Sequence, residues 1–420
     1  MKAKFTLTPA QEELLRSQVI DAEHPGPILR DFQTVLDFLG TEGVPASGKH
    51  QLLAQSAIVE LDGRLSRPLH LTLKRIPLHS HPYLQGLHLL LRATGLTRVE
   101  GGGSKAQLLP EPTVLAVWNG LNPTERYFAL LEAWLLLSRP EMVGERGGAL
   151  ADDPLLGCMQ AWQQIPAKGC KFDLRQPATV YVPGMFYGFY HVALMGLFGL
   201  MEVEHPRQPV KPWRPAGLKH LPFGDAMFTL LSRKLPSWFT QREIKVLDEQ
   251  ETEEEATEAR RFGHWQSLFQ PYFPAWQHNL VVPETQPQEG VFVFRVSLGK
   301  IWRLIAIPSQ HTLDDLAYAI LASVDFDDDH LYEFTYRDRF GARVQVLHPF
   351  IEEAGPKTDE VAVGEVPLQP GQSMTFLFDF GDNWQFDVQL ERIDPPKSRM
   401  KGPKILESHG KAPEQYPSWD

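Results

Sequence analysis

Apolar positions recur at helical spacing through the first 240 residues and change to strand alternation after residue 290. Leu84, Leu87, Leu90 and Leu91 meet every three or four residues, which predicts a helix that Gly95 ends. Asn122-Pro123-Thr124-Glu125 offers a capping side chain, a proline at the first helical position and a reciprocal glutamate. The helix it predicts runs from Pro123 to about Leu137, shows Tyr127, Leu130, Leu131 and Trp134 on one face, and stops before Pro140. Leu96–Glu100 and Lys105–Leu109 flank Gly101–Ser104, so a hairpin follows the first of these helices. Gly95-Leu-Thr-Arg-Val-Glu100 returns as Gly199-Leu-Met-Glu-Val-Glu204, again behind an apolar helix, which suggests two related helical units.

In the last third, Val291–Leu298 and Ile301–Ile307 enclose Gly299-Lys300, the signature of a two-residue hairpin. Thr312-Leu-Asp-Asp315 forms a capping box, and Leu313, Leu316, Ile320 and Leu321 mark a helix to about Val324. Two further strand pairs are expected, His330–Tyr336 with Ala342–His348, and Met374–Phe380 with Trp384–Glu391. Phe376, Phe378 and Phe380 alternate with polar or smaller positions, as do Trp384, Phe386, Val388 and Leu390, which puts one face in a core.

These patterns predict a multidomain protein, with a mainly α, winged-helix-like N-terminal half and an α+β C-terminal domain containing an antiparallel sheet. The expected divisions are a winged-helix-like domain at 1–145, a second helical unit at 146–240, a linker at 241–290 and the α+β domain at 291–420. The linker opens with the acidic run 248–261 and continues into Phe262, Trp265, Phe269, Tyr272, Phe273 and Trp276, with His264 among them. That aromatic density is expected to dock on a domain.

A helix followed by a glycine-rich hairpin resembles the winged-helix layout over residues 25–110, with a possible second unit at 180–235. The C-terminal segment resembles the Ri-plasmid ORF-three-like family, also known as insertion-element passenger or TnpR-like proteins. That resemblance rests on Ile301-Trp302-Arg303, on Thr312-Leu313, on His330-Leu-Tyr-Glu-Phe334, and on Phe378-Asp-Phe-Gly-Asp-Asn-Trp384 followed by Glu391. It implies a curved antiparallel sheet around one or more helices, in a family of bacteria, archaea and mobile elements with no known reaction. No serine-recombinase pattern is present, so recombination does not carry over. Many relatives place histidines where this chain has Leu316-Ala317 and Phe386, so any acid–base or metal role of those imidazoles is lost here.

Charge narrows the options. Of the formal net charge of −11, residues 1–240 contribute +3, residues 241–290 −6 and residues 291–420 −8. Nucleic acid, if bound, is therefore expected at the N-terminal half, through Arg64, Arg67, Lys74, Arg75, Arg98 and Lys105, with Arg92 close by. Cys158 and Cys170 are too few for a disulfide framework or a four-cysteine zinc site, which fits a reducing cytoplasm. Val182–Met201 lacks Asp, Glu, Lys and Arg but carries Tyr187, Tyr190 and His191, and is expected as a buried helix without a membrane role. His79, His81 and His88 lack a matching ligand set and are expected as solvated histidines. No phosphate loop, dinucleotide fingerprint, HExxH or GxSxG motif occurs.

Candidate ligand or partner residues are Trp302, Arg303, Asp379, Asp382 and Trp384, with Arg303 expected to pair across the sheet with Asp379 or Asp382. Asp379 and Asp382, with the acids at 325–329, are also weak metal candidates, although turn aspartates have the simpler role of accepting backbone hydrogen bonds. No catalytic residue and no cofactor is assigned. The leading reading is a cytoplasmic binding or regulatory protein, leaning away from enzymatic activity, with a protein or nucleic-acid partner and a setting in mobile-element biology. The alternatives are a divalent-metal enzyme and a DNA-binding regulator.

Overall fold

Prolines open most of the described helices of the N-terminal half. In the computed structural model, which describes residues 6–70, 77–146, 153–173, 188–206, 213–234, 261–284, 286–396 and 400–416, the chain divides into two compact units. One holds residues 1–46, 52–98 and 108–283, and the other holds 47–51, 99–107 and 284–420.

The helical part runs α1 (Pro9–Ser17), α2 (Ile28–Leu39), β1 (Val44–Ser47), β2 (Leu52–Leu53), α3 (Gln55–Asp62), α4 (Pro82–Ala93), β3 (Thr97–Glu100) and β4 (Gln107–Pro110). It continues with α5 (Pro112–Gly120), α6 (Pro123–Glu132), α7 (Pro154–Gln164), β5 (Cys170–Lys171), α8 (Phe189–Leu197), β6 (Met201–Glu204), β7 (Gly217–His220) and α9 (Pro222–Leu231). Each of α1, α4, α5, α6, α7 and α9 begins on proline, whose missing N–H costs nothing at a position that has no intrahelical partner. The Asn122/Glu125 box closes reciprocally at 3.0 and 2.8 Å.

The repeated six-residue phrase has a structural counterpart. Gly95 (φ +68°) and Gly199 (φ +70°) each take a left-handed turn from an apolar helix into a strand. Glu111 N donates to Leu96 O at 2.9 Å, and Leu221 N donates to Leu200 O at 3.1 Å, tying the next helix to the residue after each glycine. The small sheets also correspond: β4 lies between β1 and β3 in the order β2-β1-β4-β3, and β7 lies between β5 and β6. The short β1, β2, β5 and β7 were not foreseen.

Helices α4 and α8 pack on one another. All twelve residues of α4 are buried, as are Tyr190 to Leu197 of α8. Gly86 makes this approach possible, since a Cβ there would lie 2.8 Å from Leu194 Cγ. Residues 182–187 of the charge-free run lie outside the described residues, and among those described no helix is long and apolar enough to cross a membrane.

Residues 261–283 fold along α6. Glu132 accepts from Gly263 N and Trp265 N, each at 2.7 Å, and Glu125 accepts from Gln277 N at 3.1 Å and His278 N at 2.7 Å. Between these two carboxylates Phe128 stacks on Trp276, with ring centroids 4.2 Å apart, and touches Phe269 and Phe273. The acidic run lies almost wholly outside the described residues.

The other unit is a seven-stranded antiparallel sheet with one long helix. Its elements are β8 (Val291–Leu298), β9 (Ile301–Pro308), α10 (Leu313–Val324), β10 (Tyr332–Arg337), β11 (Arg343–Leu347), β12 (Ser373–Phe378), β13 (Trp384–Asp394) and β14 (Lys404–His409). The spatial order is β11-β10-β12-β13-β8-β9-β14. Phe292, Phe294, Phe376, Phe378, Phe386 and Val388 on one sheet face pack with Leu313, Leu316, Ala317, Ile320 and Leu321 of α10. Leu316, Ala317 and Phe386, for which the resemblance led to an expectation of lost imidazoles, are core residues here.

Several expectations are corrected. Phe380 does not continue the core alternation, because β12 ends at Phe378 and a turn leaves Phe380 47% exposed. His81 and His88 are not solvated: His81 Nε2 meets Asp62 Oδ1 at 2.6 Å inside the fold, and His88 is fully buried. The edge strand β14 was missed because all six of its residues are exposed and give no alternation to read.

Candidate functional site

The C-terminus of α10 leads straight into the acidic segment. Asp325 ends the helix in the left-handed conformation (φ 61°), and the chain passes through Asp327, Asp328, Asp329 and His330 before β10. The β12–β13 turn lies beside it. Asp379 (φ 54°) and Asn383 (φ 58°) both adopt left-handed backbone, which aspartate and asparagine tolerate better than most side-chain-bearing residues. Asp379 Oδ1 accepts from Gly381 N at 2.8 Å and Asp382 N at 3.2 Å, Asn383 N donates back to Asp379 O at 2.7 Å, and Asp379 N donates to Leu331 O at 3.0 Å. The last bond joins the two acidic segments. Asp379 is therefore first a turn former.

Side chains extend the junction. His330 Nε2 is 3.5 Å from Asp379 Oδ2 and 4.0 Å from Asp329 Oδ1. Tyr416, from the end of the chain, places its hydroxyl 2.8 Å from both oxygens of Asp329, and Gln415 Nε2 reaches Asp329 Oδ1 at 3.2 Å. The Tyr416 hydroxyl holds the Asp329 carboxyl below its ordinary range. Desolvation, followed by that same hydrogen bond, pushes Tyr416 up to about 12. Tyr332 donates to Asp314 and meets the His348 ring edge-on at 4.5 Å, and His348 meets Phe350 at 5.1 Å. Tyr318 on α10 is raised by burial and by the charges of Asp314 and Asp328.

The β12–β13 turn that carries Phe380, the start of β10 that carries Leu331 and the residues after β11 that carry Phe350 lie at one end of the sheet, where Tyr416 also reaches, and Tyr318, Leu331, Phe350, Phe380 and Tyr416 are 46%, 38%, 83%, 47% and 50% exposed. One end of the domain thus presents aromatic and apolar side chains among fixed carboxylates. Sequence reasoning found Asp379 and Asp382 but missed the five exposed hydrophobics. A lone aromatic in a loop reads the same whether it packs inward or faces water.

Among the described residues no group of three or more His, Cys, Asp or Glu is placed to hold a metal ion. The expected pairing of Arg303 with Asp379 or Asp382 is not what forms. Arg303 is buried, and its Nε donates to Ser323 O at 2.8 Å while Nη1 donates to Trp302 O and His409 O at 2.9 Å. It closes the last turn of α10, whose carbonyls attract a cation. Trp302 is occupied on its rings by Arg295, whose Cζ lies 4.0 Å from the centroid, and by stacking with His409 at 5.5 Å. Trp384 packs edge-on against Phe326 at 5.0 Å, with its buried indole N–H unpartnered.

Among the described residues, the basic positions make separate local contacts. Arg64 pairs with Glu60 and covers Phe38. Arg67 turns inward, so that a Cβ at Gly196 would lie 3.0 Å from its Nη1. Arg98 donates to Pro110 O at 2.8 Å and lies 3.6 Å from Glu111, Arg92 is buried and Lys105 is exposed. Lys74 and Arg75 lie outside the described residues.

Residues 290–415 match the family described as Plasmid pRiA4b ORF-3-like protein. This supports the expected resemblance over the segment that builds the seven-stranded unit, hereafter the ORF-3-like domain. The chain is similar to the uncharacterised protein y4hQ of Sinorhizobium fredii, 28% identical over 126 residues, which are 27% of this chain and 57% of that protein. It thus spans little more than half of that relative. It is also similar to a protein of unknown function, MM3350, from Methanosarcina mazei Go1, at 28% identity and a TM-score of 0.27, covering 30% of this chain and 72% of that one.

Proposed function

We propose that this protein is a non-enzymatic recognition protein that docks a protein partner through the aromatic and acidic end of its ORF-3-like domain. The observation that carries this reading is that Tyr318, Leu331, Phe350, Phe380 and Tyr416 are all exposed and belong to the elements and turns at that end. Phe350, at 83% exposure, gains little from folding in the free protein beyond its contact with His348 and would gain up to about 1.5–3 kcal/mol from burial against a partner.

The helix, strand, helix, helix and hairpin order of residues 28–110, with its partial recurrence at 154–231, supports two winged-helix-like units in the helical half. In that reading α4 and α8 are the helices that would enter a DNA groove, and both are spent on packing against each other. Their burial favours a scaffold over a DNA reader, and the two-unit reading carries with it the proposed divisions near residues 145 and 240. The plasmid in the family's description supports a mobile-element setting, and the free thiols of Cys158 and Cys170 fit a reducing cytoplasm.

The test is affinity capture from host cells with the full chain and with a Phe350→Ser/Phe380→Ser variant of matched melting temperature. Loss of a defined partner in the variant is expected, and an unchanged partner set sinks the reading. In parallel, duplex DNA titrated at 50 and 200 mM salt should show no salt-dependent binding, whereas a steep negative slope would restore the DNA-binding alternative.

A further inference from the structure

We infer that the segment docked at this end of the ORF-3-like domain is cationic, carrying lysine or arginine among apolar residues. The inference deepens the proposed docking function and rests on it. Its starting point is the exposed aromatic and apolar rim, and its direction comes from the charge around that rim.

The segments 325–331 and 379–384 contain five carboxylates besides Asp325, namely Asp327, Asp328, Asp329, Asp379 and Asp382. Neither segment contains a lysine or arginine, and His330 is their only basic side chain. Two of these acids and the neighbouring Asp314 are held in place before any partner arrives: Asp379 by two turn amides, Asp329 by Tyr416 and Gln415, and Asp314 by Tyr332 and Thr358. Near Phe350, Lys357 is committed to the carbonyls of Ile351 and Glu353.

A partner that covers the aromatic rim must desolvate these carboxylates. A neutral apolar partner would leave them desolvated without counter-charge, which opposes binding. An anionic partner would be repelled by the same acids and by the −8 of residues 291–420. Guanidinium or ammonium groups answer both features at once, since they bond the carboxylates and lie on the faces of aromatic rings such as Phe350, Phe380 and Tyr416. Fixed acids add a second advantage, because little side-chain freedom remains to be lost on binding.

The experiment uses the full chain with three fluorescein-labelled probes read by anisotropy: an alternating Arg-Leu octapeptide, an alternating Ser-Leu octapeptide and an alternating Glu-Leu octapeptide. The Arg-Leu probe is expected to bind most tightly. It should weaken about tenfold in Asp328→Asn/Asp382→Asn and, separately, in Phe350→Ser/Phe380→Ser, a change of about 1.4 kcal/mol in each case. A Glu13→Gln/Glu42→Gln control removes the same charge from the helical half and should bind like the parent. Equal losses in the control and the acid variant overturn the inference, because the attraction is then nonspecific. Preference for the Ser-Leu probe, lost with Phe350 and Phe380 but indifferent to Asp328 and Asp382, overturns the cationic partner while leaving the docking surface intact. Binding of no probe to parent or variant overturns both. A melting-temperature rise with Mg²⁺ or Ca²⁺ that disappears in the acid variant overturns the inference in favour of a metal site.

Discussion

Glu132 sets two electrostatic effects against each other in one fully buried side chain. Burial raises its carboxyl to about 7, while the Trp265 and Gly263 amides oppose the rise. Both amide bonds are 2.7 Å long, the length of charge-assisted bonds, which argues for an ionised group. In unfolded chain the same carboxyl titrates near 4.5. A folded value above the unfolded one means that the contribution is fully present below about 4.5 and lost as pH rises through about 7. A difference of about 2.5 units corresponds to about 3 kcal/mol between the two protonation states. Glu132→Gln removes the titration, keeps one amide acceptor and leaves the other amide short of a full partner. The variant is therefore expected to hold segment 261–283 about 1–2 kcal/mol more firmly than the parent at pH 8.5, and slightly less firmly at pH 5.5. The measurement is hydrogen exchange at the Gly263 and Trp265 amides from pH 5.5 to 8.5, corrected for intrinsic exchange, with tryptophan fluorescence as a second readout. If parent protection is flat across that range and the variant is looser by 2 kcal/mol or more at pH 8.5 (about the loss of a charge-assisted bond), the short amide bonds outweigh burial and the reasoning fails.

Other substitutions probe single contacts. Trp276→Ala removes a buried ring stacked at 4.2 Å on Phe128 and should cost about 3–5 kcal/mol of local stability, seen as faster proteolysis within 261–283 at unchanged melting of the ORF-3-like domain. Gly86→Ala gains up to about 1 kcal/mol of helix propensity but forces a Cβ within 2.8 Å of Leu194, so a net loss of about 1–2 kcal/mol is expected in denaturant titrations. Asp379→Asn keeps the acceptor and the tolerated backbone and should change the melting temperature little, whereas Asp379→Ala should lose about 1–2 kcal/mol; equal losses would show that the charge, and not the turn, is what matters. His88, buried with both ring nitrogens unpartnered and lowered to about 3, should favour the fold above its unfolded value of about 6.5 and withdraw that support as pH falls. His88→Leu should accordingly flatten the acid limb of the stability profile.

What was legible from sequence was the local grammar. The capping boxes at Asn122 and Thr312, the hairpin at Gly299-Lys300 and the helix of residues 313–324 form as their side chains predict, because each depends on neighbours within a few residues. The repeated Gly95 and Gly199 phrase also pointed to a shared turn, because a left-handed residue leaving a helix is a backbone requirement that glycine meets locally. Tertiary structure alone decided how those pieces were used. The strand order β11-β10-β12-β13-β8-β9-β14 brings β12 and β13 between segments distant in sequence, and no local pattern encodes it. Arg303 met a helix end instead of a carboxylate, and His81 met Asp62 inside the fold instead of water. Burial made the same kind of choice among hydrophobics: Trp276 was covered while Phe350 and Phe380 were left outside. Alternation tells which residues share a face, but only the packed neighbours determine whether that face is dry, paired or open to a partner.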